Sequence, residues 1–249
     1  MLPSCLAFAA AVIAGAKKFS DCPDLDCSQM HVTSKQVSSG SSFGDEQQGL
    51  LNIMKGKIGT TGLFEFAEKK GGRMVGDRLA INCLGKDFLI DSRGELSSEC
   101  HNNLWVHGPL LDYIVNGKGK KPTGTWLPFQ ELEGASDWGH FFSHRCEDEM
   151  LKLADAHPEL FFELLELFGA DHDVGQNADY SILLHPLPMV PMSFNYWLPE
   201  DEFPSKLTLL FDETTPDNLN PELIYTLSRG LVEMFRVLIV KHNLDGNLF

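Results

Sequence analysis

The sequence predicts an α+β fold, an antiparallel sheet with packed helices, preceded by a short helical cysteine module at the N-terminus. Residues 221–242 repeat apolar side chains at helical spacing over about six turns. Three short apolar segments at 180–184, 190–198 and 207–211 are separated by Pro-rich turns, which is typical of antiparallel strands. No strand–helix–strand rhythm is present, so the pattern favours α+β over a parallel sheet.

The remaining elements follow from local signals of the same kind. Ala-rich and apolar-periodic stretches predict helices, Gly and Pro mark their ends, and two short apolar runs around a Gly-Lys-Asp turn predict a β-hairpin. The predicted helices are 3–18, 45–70 with an interruption at 59–62, 103–115, and two helices within 147–168 that are separated near His157-Pro158 and end at Gly169. The predicted hairpin joins 79–82 to 88–91, and 126–129 is predicted to be extended.

We expect three regions along the chain. Residues 1–30 form the short cysteine module, which is truncated as argued below, residues 31–48 a linker, and residues 49–249 the α+β domain. The Ser/Gly run at 38–44 has few apolar side chains to bury, which is typical of a flexible linker.

The charge of the chain is strongly negative and unevenly spread. The net charge is −15, and residues 131–222 hold 20 acidic against three basic side chains. Such a field repels phosphate backbones, so nucleic acid is not an expected partner. No apolar run reaches the roughly 18 residues that span a bilayer. The apolar stretch 6–16 has no Lys or Arg before it, unlike a signal peptide. We therefore expect a cytoplasmic protein without a membrane partner.

Three of the six cysteines lie within the first 27 residues, at Cys5, Cys22 and Cys27. A secreted disulfide scaffold would be smaller and richer in cysteine. Clustering at one end of the chain instead indicates metal ligation in a reducing compartment.

The run from Pro3 to Pro23 resembles the four-cysteine module of corrinoid iron–sulfur proteins, in which C-x2-C-x4-C-x16-C is followed by proline. Cys5 and Cys22 are separated by 16 residues, Pro23 follows, and an Ala-rich helix lies between them. The resemblance implies that these cysteines are the third and fourth ligands of a four-iron, four-sulfur cluster, for which soft thiolates are suited.

The sequence departs from that module because its first two cysteines would lie upstream of Met1. We expect a bound cluster only if the chain extends upstream, and otherwise an apo remnant of the site. Cys27 is a candidate third thiolate, although its five-residue step from Cys22 is not part of the module.

Most of the remaining chain, roughly 75–240, resembles an uncharacterised bacterial and archaeal domain family, number 3786. The resemblance rests on four runs: GTWLPF from Gly124, PMVP from Pro188, DEFP from Asp201 and LLFD from Leu209. Members often carry the cluster module in front, which implies anaerobic metabolism around corrinoid or one-carbon chemistry. The family supplies no established catalytic residues.

Several other clusters of polar residues are candidate sites or loops. His140 and His144 lie four residues apart and would share one face of a helix, which is the spacing of a metal-binding pair. Asp171-His172-Asp173 is interpreted as a loop, 199–204 as an exposed turn with Phe203 pointing inward, and 117–121 (GKGKK) as a basic loop without the spacing of a phosphate loop.

Three functional hypotheses remain open at this level. The first is an accessory or electron-transfer protein of anaerobic metabolism, with a corrinoid or redox protein as partner. The second is a non-redox binding or adaptor domain that has lost its cluster. The third is a metal-dependent enzyme that uses His140 and His144.

Overall fold

The computed structural model describes residues 49, 51–58, 62–99, 103–172, 177–200 and 202–245. The chain divides into two units, residues 1–53 and 54–249. In the first unit the described residues, 49 and 51–53, are helical. The predicted helix 3–18, the linker, and Cys5, Cys22 and Cys27 lie outside the described residues, and the predicted domain boundaries stay predictions.

The described part of the second unit contains two antiparallel sheets, in agreement with the predicted α+β class. The first sheet has the order β1-β2-β3-β4, and the second has the order β5-β9-β8-β7-β6. The strands of the first sheet are β1 Arg73–Val75, β2 Arg78–Cys83, β3 Lys86–Ile90 and β4 Leu96–Ser97. Those of the second are β5 Trp126–Pro128, β6 Asp171–His172, β7 Tyr180–Leu187, β8 Val190–Trp197 and β9 Lys206–Asp212.

Helices connect and cover these sheets. The α-helical segments are 51–58, Leu63–Lys69, Leu104–Val115, Gly139–Phe142, Asp148–Ala156, Pro158–Leu167, Thr215–Asn218 and Pro221–Asp245. Short 3₁₀ turns cover Phe129–Glu131 and Ser136–Trp138, and a π turn covers Ser143–Glu147. The break before Pro158 confirms the predicted separation of two helices, because proline lacks the N–H that helix continuation requires.

Across the described residues, no helix has both the length and the apolar character that a membrane span requires.

The five-stranded sheet is centred on β8, in which every side chain from Val190 to Tyr196 is buried. The sequence of this strand alternates, with Ser193 and Asn195 between Met192, Phe194 and Tyr196, so burial on both faces also encloses two polar side chains. Phe194 faces Ile182 of β7 and Leu209 of β9, so apolar side chains extend across three strands.

The β2–β3 hairpin is confirmed, but its turn lies earlier than predicted. Cys83 pairs with Lys86, so the turn is Leu84-Gly85, and Lys86 and Asp87 belong to the strand. Both turn residues have positive φ, +52° at Leu84 and +73° at Gly85, which suits the twist of a two-residue hairpin. Burial of the Leu84 side chain and a 3.1 Å hydrogen bond from its N–H to the Pro186 carbonyl hold this unusual conformation.

The helix Pro221–Asp245 confirms the strongest periodicity in the sequence. Leu227, Leu231 and Phe235 are buried, as predicted. The helix packs on Leu104–Val115, where a Cβ at Gly230 would lie 2.1 Å from the Trp105 ring. Glycine at this position therefore allows the close approach of the indole to the helix.

Two loop interpretations were wrong. Asp171 and His172 form strand β6, which pairs with Leu183 and Ile182, because the neighbouring edge of β7 offers backbone partners that the local sequence does not reveal. Phe203 is 77% exposed rather than tucked inward. A reciprocal pair of backbone hydrogen bonds between Glu200 and Phe203 closes a tight turn and leaves Phe203 facing solvent.

Candidate functional site

His140 and His144 come together as their spacing predicts. Their ring centroids lie 4.4 Å apart at an interplanar angle of 88°. His144 Nδ1 lies 2.8 Å from Asp148 Oδ2, a carboxylate–imidazole contact that orients the ring and leaves its Nε2 pointing away. Both imidazoles lie on the exposed side of the helical segment.

A π turn, Ser143–Glu147, carries His144 and shifts the helix by one residue. Such turns are rare and often occur at functional sites. Here the π turn also places Glu147 beside β9, where its Oε1 accepts the N–H of Leu209 at 3.0 Å. Burial raises the pKa of the Glu147 carboxyl, although the hydrogen bonds from Leu209 and Ser143 act in the opposite direction. The turn therefore joins the helix to the sheet through a partly buried carboxyl.

The surroundings of the histidine pair can be compared, over the residues that the structure describes, with what a metal site requires. In the described part of the chain, no group of three or more His, Cys, Asp or Glu side chains is arranged to hold a metal ion. Two imidazoles alone make a weak site compared with the three protein ligands of catalytic zinc centres. The metal-site assignment of His140 and His144 stays a prediction.

Cysteines within the described domain belong to its interior. Cys83 and Cys146 are both buried. Burial raises the pKa of the Cys146 thiol to about 12, so it remains protonated and is unsuited to bind iron as a thiolate. Thiolate donors for a cluster are therefore to be sought among the cysteines outside the described residues, which include the predicted ligands Cys5 and Cys22 and the candidate Cys27.

Lys70 was not predicted from the sequence to be a functional residue, yet it is a lysine that is almost completely buried. It follows the helix Leu63–Lys69 and is only 4% exposed. Its backbone carbonyl accepts a 2.8 Å hydrogen bond from the buried Tyr113 hydroxyl. A lysine after a helix C-terminus is ordinarily explained by the helix dipole, so no local sequence signal distinguishes a buried one.

Family models match both parts of the chain. Residues 1–23 match the family described as “Putative Fe-S cluster”, and this segment contains Cys5 and Cys22. Residues 63–234 match DUF3786, described as a domain of unknown function. The two matches follow each other in the order that the sequence resemblances predict.

No curated protein and no solved structure matches this chain significantly. The DUF3786 match covers well over half of the chain and spans both sheets. This protein therefore belongs to the DUF3786 family and carries an iron–sulfur-type segment ahead of its α+β domain.

Proposed function

We propose that this chain is an accessory or electron-transfer protein of anaerobic corrinoid or one-carbon metabolism. The observation that carries the proposal is the iron–sulfur family match at residues 1–23, which includes Cys5, Cys22 and the Pro23 that follows. A four-iron cluster supplies one-electron transfer when bound to cysteine thiolates. Cys5 and Cys22 are the expected ligands, with Cys27 as the candidate third.

The acidic surface of the α+β domain supports this role, because it could bind a partner protein. Residues 131–222 hold 20 acidic against three basic side chains, and many of the acids are exposed, including Glu131, Glu133 and Asp137. A negative surface of this kind favours encounter with a basic redox or corrinoid protein and makes the association sensitive to salt.

The test is anaerobic reconstitution, with ferrous iron and sulfide, of the chain extended upstream of Met1 as its coding DNA allows. It is followed by assay of bound iron and sulfide and by visible and EPR spectroscopy. We expect a cysteine-dependent visible absorption that bleaches on reduction. Cys5→Ser and Cys22→Ser should each abolish it, because each removes a thiolate. Cys100→Ser, a cysteine outside the matched segment, is the matched control and should bind iron as the parent does.

Failure of the extended chain to bind iron and sulfide would contradict the proposal and favour the non-redox adaptor. The coding DNA upstream of Met1 provides an independent test. We expect an in-frame C-x2-C whose second cysteine lies five residues before Cys5, and an in-frame stop codon at that point would contradict it.

A further inference from the structure

A pocket of about 370 Å³ lies where the helix Leu63–Lys69 meets the loop 117–121. Four ammonium groups and one carboxylate are among its lining side chains: Lys57, Lys69, Lys70, Lys118 and Glu65. The chain as a whole carries a net charge of −15, so the lining of this pocket is positive in an otherwise acidic protein. The pocket therefore has the electrostatics of an anion site.

Lys70 is the innermost of these groups. Lysines are almost never buried to this degree unless they are paired, because a buried charge without a partner is costly. Among the described residues, no hydrogen bond or ion pair reaches the Lys70 ammonium. Asp112 attracts it electrostatically but lies too far away to form an ion pair. Burial, reinforced by the neighbouring Lys69, lowers the pKa of Lys70 and outweighs the attraction of Asp112.

Lys69 and Lys118, two lysines of the same pocket, form ion pairs with carboxylates. Lys69 Nζ donates to Glu65 at 2.6 Å, and Lys118 Nζ donates to Asp217 at 2.6 Å. These pairs lie at the exposed rim, where water screens them. Lys70, a largely buried residue that lines the pocket, has no such partner for its ammonium among the described residues, and the open volume beside it is available to an anion from solution.

The loop that closes the pocket is held in place by its glycines. A Cβ at Gly119, whose φ is +70°, would lie 2.3 Å from the Lys69 carbonyl oxygen, so only glycine allows this approach. Asn218 then fixes the loop from the other side, since it accepts the N–H of Lys120 at 2.9 Å and donates to the Lys120 carbonyl at 2.8 Å. The loop is thus preorganised against the end of the helix.

We propose that this pocket binds the phosphate group of a small molecule, with Lys70 as its buried counter-ion and Lys57, Lys69 and Lys118 around it. Lysine ammonium groups act as compact point charges for phosphate, and several of them match its more than single negative charge. The proposal goes beyond the iron–sulfur role, because it concerns a different part of the chain and a different chemistry.

The test is isothermal titration of the full-length protein with pyrophosphate and with inorganic phosphate, and with succinate as the carboxylate comparison, at low ionic strength. We expect binding of the phosphates and little binding of succinate. Lys70→Met removes the charge at similar side-chain length and should weaken pyrophosphate binding about tenfold or more. Lys118→Met, at the exposed rim, should weaken it by about threefold.

Lys121→Met is the matched control, because it removes one positive charge from the same loop at a position that does not line the pocket. It should bind within about twofold of the parent. Amine acylation of the parent protein, read residue by residue by mass spectrometry, gives an answer even if Lys70→Met does not fold: pyrophosphate should slow modification of Lys70 and leave Lys121 unaffected. Absence of phosphate binding, preference for succinate, or equal losses in Lys70→Met and Lys121→Met would overturn the proposal.

Discussion

The two sheets of the α+β domain differ in how they are covered. In the five-stranded sheet, β8 is buried from Val190 to Tyr196, with helical segments against β9 and the small sheet against β7. In the four-stranded sheet, β3 begins with exposed Lys86 and Asp87 and buries only Phe88 and Ile90 completely. One sheet is enclosed by the rest of the domain, and the other packs through one face and presents a charged face to water.

The difference shows where stability and surface chemistry reside. The open face of the small sheet surrounds a shallow depression of about 650 Å³ and carries the Arg73–Asp87 ion pair. The enclosed sheet instead satisfies its polar groups internally: Ser181 Oγ donates to Asn195 Oδ1 at 2.7 Å, and Asn195 Nδ2 donates to Ser193 Oγ at 3.1 Å. Substitutions near the enclosed sheet should therefore affect folding more strongly than those on the open face.

The largest effect is expected in the helical layer on the enclosed side. Leu231 is completely buried in the helix Pro221–Asp245, so Leu231→Ala should lower the free energy of unfolding by about 2–5 kcal/mol. The matched substitution on the small sheet is Leu89→Ala, whose half-buried side chain should cost about half as much. Urea titration of both variants measures the difference, and equal losses would contradict the distinction between the two sheets.

Asp212, at the end of β9, should contribute the next largest effect. Burial raises the pKa of its carboxyl, but donors from Thr214, Gly124 and Thr123 outweigh that effect, so the pKa lies below its ordinary value. Its Oδ2 accepts the N–H of Gly124 at 2.7 Å and of Thr123 at 2.9 Å, which joins the loop before β5 to β9. Asp212→Asn should lower the free energy of unfolding by about 1.5–3 kcal/mol at neutral pH.

The pH dependence of that variant tests the assignment. A carboxyl with a lowered folded pKa binds fewer protons in the folded than in the unfolded state, so its stabilisation is present at neutral pH. It is lost as the pH falls through about 4 and below. The difference in unfolding free energy between parent and Asp212→Asn should therefore shrink when urea titrations are repeated at about pH 3. A constant difference would show that the charge of Asp212 is not the cause.

Smaller changes in stability, of opposite sign, are expected when two glycines on neighbouring helices are replaced by alanine. Gly230→Ala forces a methyl group into the Trp105 ring and should cost about 1–3 kcal/mol. Gly108→Ala, on the helix Leu104–Val115, meets no atom within 4 Å and should stabilise the domain by roughly 0.5–1 kcal/mol. Thermal unfolding of the pair checks this, and a destabilised Gly108→Ala would show that the space beside that helix is occupied.

The smallest effect should come from the open face. Arg73 forms a two-point contact with Asp87 across the small sheet, but both side chains are substantially exposed. Because water screens such pairs, Arg73→Ala should leave Tm unchanged within experimental error. A clear loss of stability would mean that this face is more strongly coupled to the core than its exposure indicates.

Local sequence was sufficient where an element is determined by its own periodicity. The buried residues of the C-terminal helix, the helix break at Pro158, the hairpin at residues 78–90 and the three principal strands all followed from spacing and from turn residues. The histidine pair also came together because i,i+4 spacing on a helix determines proximity. In each case the residues that determine the element are close to one another in the sequence.

Local sequence was insufficient where contacts with distant segments determine the structure or the burial of a residue. Strand β6 exists because Asp171 and His172 lie beside the edge of β7. Phe203 is exposed at a point where its backbone is hydrogen-bonded to that of Glu200. The depth of Lys70 depends on Tyr113 and on loop 117–121, which lie over 40 residues away in sequence. None of these contacts leaves a periodic signal near the residue that it affects.

The sequence by itself determined the α+β class, the main helices and strands, the iron–sulfur-type spacing of Cys5 and Cys22, and the acidic character of residues 131–222. Tertiary structure alone decided the order β5-β9-β8-β7-β6, the enclosure of one sheet rather than the other, and the gathering of four lysines from residues 57 to 118 around one pocket. The physical reason is range: periodicity and capping act over a few residues, whereas strand pairing, burial and the electrostatics of a pocket are set by contacts between segments far apart in the chain.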